Sequence, residues 1–181
     1  MAGRSVADRL QIRPAAPGDT DLLAELGART FRDTFERQNE PADVDAYLRA
    51  SFAPERVRAE IEDPAGTLLL AFADGGGQPI GYARLRAGEP DPSVTGAAPV
   101  EIERLYVRRE VIGHGVGAAL MRACLEEAAL AGYETIWLGV WERNERAIAF
   151  YRRWGFVEVG HHVFTLGSDP QNDLIMERRC R

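Results

Sequence analysis

Apolar residues along this chain recur with two different periods, and the switches between them mark out its elements. The short stretch "LQIRPA" predicts a first strand. In "PGDTDLLAELGARTFRDTF", Leu22, Leu23, Leu26, Thr30 and Phe31 fall at helical spacing, with Asp19 or Thr20 as the cap. Two more helices follow: "PADVDAYLRASF", led by Pro41, and "PERVRAEIED", with Val57 and Ile61 four apart and Pro64 and Gly66 closing it. "TLLLAFA" is a continuous apolar run, as in a strand covered on both faces. "DGGGQP" predicts a hairpin turn, and "IGYARLRA" the returning strand. Beyond the loop "GEPDPSVTGAAP" comes "VEIERLYV", where alternation sets Ile102, Arg104 and Tyr106 on one face and Glu101, Glu103, Leu105 and Val107 on the other. A glycine turn then leads into the helix "VGAALMRACLEEAALAG", ended by Gly132. The strand "TIWLGVW", the helix "NERAIAFYRRWG" ended by Gly155, and the strands "FVEVGHHVFTLG" and "DLIMERR" complete the chain. Strands and helices alternating after an antiparallel hairpin imply an α/β fold, a mixed sheet with helices on both faces.

Composition narrows this picture. A chain of 181 residues reads as one domain, 1–181, able to bury a core without staples. No apolar run is long enough to cross a bilayer, and "MAGRSVADRL" lacks the apolar stretch of a secretory leader. The net charge of -6 argues against general nucleic-acid binding, while attracting cationic small partners at long range as well as serving solubility. Cys124 and Cys180 make neither a disulfide framework nor a metal set. Cys124 is expected in the core and Cys180 at an exposed end. His114, His161 and His162 lack metal-ligand spacing. The expectation is a cytoplasmic protein with no metal, no nucleic-acid partner and no membrane, a homodimer being left open.

The chemistry concentrates at "VIGHGVGAAL", where Gly113, Gly115 and Gly117 stand between a strand and a helix. Such a turn is either an ordinary tight connection or a place where free N–H groups at a helix start meet an anion. It is not a P-loop, because no Lys-Ser or Lys-Thr follows, and it lacks the third glycine of a dinucleotide fingerprint.

Together, "ERLYVRREVIGHGVGAALMRACLEEA" and "TIWLGVWERNERAIAFYRRWGF" resemble the GCN5-related N-acetyltransferase (GNAT) superfamily. The resemblance implies a mostly antiparallel mixed sheet of about six to seven strands. It also implies an acetyl-CoA pyrophosphate turn at Ile112, Gly113, His114, Gly115, Val116 and Gly117. Where Ile112 stands the superfamily prefers Gln or Arg, so backbone donors carry more of the task here; Arg108, Arg109 and His114 can add positive charge. The second motif maps onto Asn144, Ala147, Tyr151 and Gly155–Phe156. Leu105, Tyr106 and Val107 would bond the pantetheine arm through main-chain groups, and Asn144 would both cap its helix and touch that arm. The stretches "TFRDTFERQNEPADVDAYLRASF" and "HVFTLGSDPQNDLIMERR" look like the PaiA-type spermidine/spermine branch, which implies a polyamine-like primary amine as acceptor.

Acetyl transfer to an amine requires a neutral nitrogen, yet a lysine-like amine has a pKa near 10.4. Glu101 and Glu103 are the candidate proton acceptors, with Glu142 a third; each could instead bind the cation and raise its pKa. Tyr151 is the candidate general acid for the leaving thiolate by resemblance, the alternative being a packed aromatic beside Phe150 and Trp154. Asp169, Gln171 and Asp173 read as tail-loop turn residues rather than contacts to a cationic amine. Other acceptors (a protein N-terminus, an aminoglycoside) and a non-catalytic acetyl-CoA-binding module stay open.

Overall fold

A computed structural model describes residues 10–73, 75–167 and 169–181. The opening segment, where no leader is expected, lies outside the described residues except for its last residue, Leu10; Asp74 of the hairpin turn and Ser168 of the tail also lie outside. Seven strands form one sheet: β1 (Leu10–Pro14), β2 (Gly66–Ala73), β3 (Gly81–Arg86), β4 (Pro99–Val107), β5 (Thr135–Trp141), β6 (Val157–Leu166) and β7 (Asp169–Arg179). Their order is β1-β2-β3-β4-β5-β7-β6, and every pairing except β4 with β5 is antiparallel.

Helices cover both faces, so the sheet buries two cores. α1 (Thr20–Phe35), α2 (Pro41–Ser51) and α3 (Pro54–Glu62) pack on one face, over Leu68, Leu70, Phe72 and Tyr82. α4 (Val116–Leu130) and α5 (Glu145–Arg153) pack on the other, over Leu69, Ala71, Ile136, Leu138 and Met176. The unbroken apolar run of β2 thus splits its side chains between both cores. Gly132 and Gly155 follow α4 and α5 with φ of 86° and 82°, the left-handed conformation that ends a helix cheaply in glycine.

Four sequence expectations need correction. Asp19 does not cap α1 with its side chain; its carboxylate accepts from Arg13 at 2.7 and 2.8 Å and from the Ala16 N–H. Cys180 is buried, because β7 continues to Arg179 and the Cys180 N–H donates to the Glu134 carbonyl at 2.9 Å. Asp169, Gln171 and Asp173 belong to β7, paired with β6, rather than to a loop. Finally, the alternation in β4 is broken. Leu85 pairs with Ile102 but Arg84 with Arg104, so Glu103 is an extra residue. After this bulge Leu105 and Val107 join Ile102 against the α4–α5 core, while Arg104 and Tyr106 turn to the α1–α3 face.

Candidate active site

The parallel pair β4–β5 is joined over three residues only, Pro99, Val100 and Glu101 against Thr135, Ile136 and Trp137. Beyond them β4 stays with β3, and β5 with β7, out to Val107 and Trp141. The bulge at Glu103 lies where the two strands part, and a bulge bends the strand that carries it. The result is an opening through the sheet, flanked by unpaired backbone. The Arg108 N–H donates to Ile80 on β3. By the two-residue alternation of an antiparallel ladder, the N–H groups of Leu105 and Val107 therefore point into the opening, and that of Tyr106 toward β3.

A cavity of about 1120 Å³ runs through this opening and touches both faces. On the α4–α5 face it is lined by the glycine turn and α5. Gly113 and Gly115 have φ of 86° and 87°, a conformation that favours glycine. Among the described residues, the N–H groups of Gly113, Gly115, Val116, Gly117 and Ala118 donate to no backbone carbonyl. They form a donor cluster at a helix start, suited to a pyrophosphate. Next to it, a second cavity of about 500 Å³ brings Arg37, Arg109, Arg143 and Arg146 around Ile112. These donors and cations fit the polyanionic end of coenzyme A. Asn144 caps α5, its side-chain oxygen accepting from the Ala147 N–H at 3.2 Å. Tyr151 lies one helix turn beyond Ala147, 8% exposed, its hydroxyl pKa pushed well up by burial and further by Cys124. Cys124 is inert core, its thiol raised to about 12.

On the other face the cavity becomes an aromatic chamber. Phe31 stacks on Tyr47 at 4.3 Å, Phe35 meets Trp141 at 5.7 Å, and Tyr47 meets Phe164 edge-on at 5.9 Å. The loop after β3 supplies Glu89, Pro90, Asp91 and Pro92. Thr95 and Gly96 strap this loop onto Glu177 of β7.

Glu101 and Glu103 reach this chamber, but arginines already hold them. Arg86 donates to Glu101 at 2.7 and 3.2 Å, and Arg84 donates to Glu103. Burial pushes the Glu101 carboxyl up, partly offset by Arg86. The network continues into α3. Arg104 grips Glu60 at 2.6 and 3.1 Å, and Arg84 lies 3.3 Å from it. Burial raises the Glu60 carboxyl, but Arg104, Arg84 and Arg56 together outweigh it and hold it low. Glu142 lies outside the chamber lining and accepts from Asn172 at 3.0 Å.

Of the residues picked from the sequence, Glu101, Glu103, Leu105, Tyr106, Val107, Ile112, Gly113, Gly115, Gly117, Asn144, Ala147 and Tyr151 line one continuous cavity. His114 is exposed in the turn outside that lining, and the Val116 side chain is core, leaving only its N–H at the site. Asp173, read as a turn residue, lines the chamber. The signal that could have found it is a period of two: Gln171, Asp173 and Ile175 on one side, Leu174 and Met176 on the other.

Comparison with known proteins bears on family and fold. The sequence profile of the acetyltransferase (GNAT) family matches residues 28–156. An uncharacterised N-acetyltransferase from the pepI 3′ region of Lactobacillus delbrueckii subsp. lactis is 31% identical over 160 residues, 88% of this chain and 91% of that protein. The fold resembles the PaiA N-acetyltransferase of Thermoplasma acidophilum, solved with coenzyme A, with a TM-score of 0.73, 23% identity, and 94% and 98% of the two chains covered. It also resembles a spermidine N-acetyltransferase of Vibrio cholerae, solved with CoA and spermine, with a TM-score of 0.67, 22% identity, and 95% and 96% covered. No helix among the described residues is long and apolar enough to cross a membrane.

Proposed function

The chain belongs to the acetyltransferase (GNAT) family and is an acetyl-CoA-dependent N-acetyltransferase, and we propose that its acceptor is a primary amine of the polyamine class. The observation that carries this reading is the chamber itself: Glu89, Asp91 and Asp173 line a pocket whose walls are aromatic, with the ion-paired Glu101 and Glu103 at its floor. Carboxylates attract successive ammonium groups, and aromatic faces cover the methylenes and cations between them. The net charge of -6 steers such a polycation inward.

In this reading the two faces divide the labour. The free N–H donors of Gly113 and of Gly115 to Ala118 hold the pyrophosphate, and those of Leu105 and Val107 hold the arm and the thioester carbonyl. Preorganised donors of this kind are usually the largest catalytic contribution. The nitrogen arrives from the chamber through the parted strands and attacks the acetyl carbon directly in a ternary complex. Tyr151, protonated at every physiological pH, donates to the departing sulfur. Glu101 and Glu103, neutralised by Arg86 and Arg84, shape the floor beneath the amine rather than add free charge to it. A reducing cytoplasm suits both acetyl-CoA and the free thiols Cys124 and Cys180.

The test is acetyl-CoA-dependent thiol release over an amine panel of spermidine, spermine, a monoamine, an N-terminal peptide and an aminoglycoside. The polyamines should give the highest kcat/KM, falling as salt is raised. An equal kcat/KM for the monoamine rejects the polyamine class, a preference for the peptide moves the acceptor to protein N-termini, and a preference for the aminoglycoside moves it to that class.

A further inference from the structure

We propose that Asp173 is the group that takes the proton from the attacking amine, a role that rests on the N-acetyltransferase reading of the site. Asp173 faces the acceptor chamber from β7, in register with His162 on β6 and with Trp141 on β5. Its neighbour on the same face, Gln171, reaches across to Asn39 between α1 and α2. The floor beside it is bare. β5 is buried at every residue except Gly139, and a Cβ built there would stand 3.6 Å from the Asp173 carboxylate. Glycine thus leaves the carboxylate approachable from the opening between β4 and β5.

The other acids of the chamber are committed or peripheral. Glu101 is held by Arg86, Glu103 by Arg84, and Asp91 by the Ser93 hydroxyl and N–H at 2.6 and 2.9 Å. Glu89 is exposed on its loop. Among the described residues no hydrogen bond or ion pair reaches the Asp173 carboxylate. Burial raises its pKa to about 6, eased by His162 from β6 and reinforced by Glu142 at the end of β5. Asp91, on the β3–β4 loop, acts on the same His162. The carboxylate is therefore ionised at pH 7 to 8 and about 100-fold more basic than an ordinary aspartate. The aromatic walls strip water from the incoming ammonium and lower its own pKa toward that of the acceptor.

The proton balance closes. One ammonium proton passes to Asp173 and on to solvent. The neutral nitrogen forms a bond to the acetyl carbon, and the C–S bond breaks on collapse. The nitrogen sheds its second proton to solvent, while Tyr151 gives one to the sulfur and regains one from solvent. Amide and free thiol are left, with one proton released overall.

The experiment is the pH profile of kcat and kcat/KM for spermidine at saturating acetyl-CoA, beside calorimetric acetyl-CoA binding. Wild type should show an acidic limb near pH 6. Asp173→Asn should abolish that limb and lower kcat by about 10²-fold or more while acetyl-CoA binding stays within twofold. Asp173→Glu should recover part of both. A kcat for Asp173→Asn within threefold of wild type, or a loss confined to KM, overturns the role. A limb that survives in Asp173→Asn but vanishes in Glu101→Gln moves it to Glu101. If wild type acetylates a different amine from the panel, the same profile is read with that amine: the acceptor class falls, but Asp173 is tested as before. If wild type acetylates no amine, the N-acetyl transfer reading falls and this role with it.

Discussion

Tyr151 carries a hydroxyl raised well above 10, and in the proposed reaction it serves a thiolate whose ordinary pKa is near 8.5. Full transfer of the proton is therefore uphill, and what the residue offers is a hydrogen bond to the sulfur as charge builds there. Tyr151→Phe should lower kcat by about 10²-fold and leave the acetyl-CoA Kd unchanged, as single-turnover kinetics and calorimetry would show. An unchanged kcat removes the role. Ile112 poses the complementary question. It lines both cavities at the glycine turn yet brings no donor to the cations gathered there. Ile112→Gln adds one hydrogen bond worth about 1 kcal/mol, so acetyl-CoA should bind about fivefold tighter. Calorimetry giving equal affinity would show that the backbone donors suffice. Both residues could be picked from the sequence because their motifs are local. Asp173 is harder to pick, since it follows the turn-like "DPQN" and only a period of two, completed by pairing between β5 and β6, marks it as strand.

Among the elements, α3 is fastened to the floor of the site by charge. The Glu60 side chain is 3% exposed and answers Arg104 and Arg84 on β4 and β3. Breaking one side of a buried pair strands the other, at about 3–5 kcal/mol. Glu60→Gln should therefore lower Tm at pH 7 by about 6–15 °C. The pH dependence has a definite sign. The folded-state pKa of Glu60 lies below its ordinary 4.5, so its contribution is complete above that value and is lost as pH falls through the lowered one. The gap between wild type and Glu60→Gln should narrow progressively in melts taken below pH 4.5. No sequence pattern announced this network. The helices and strands were readable from their periods, and a main-chain role for Leu105, Tyr106 and Val107 was expected from the family likeness. The bulge at Glu103, however, exists only in the register against β3, which a one-dimensional alternation does not encode.

Across the whole molecule, acceptor and acetyl donor in the proposed reading enter from opposite faces of one sheet and meet where it is parted. Saturating coenzyme A at 100 times its Kd should stabilise the protein by about 2.7 kcal/mol. Hydrogen exchange locates the effect. The amides of Leu105 and Val107 should slow on binding, while that of Tyr106, directed at β3, should change little. Equal protection of all three would contradict the alternation inferred from the Arg108–Ile80 bond.

The parting also changes the count of edges. A seven-stranded open sheet has two, here β1 and β6, but this one acquires two more along Ile102–Val107 and Leu138–Trp141. Unpaired edges are templates for pairing with other chains. In the proposed reading the arm of the coenzyme lies against those edges and covers them, so that supply of the acetyl donor and solubility of the enzyme become coupled quantities.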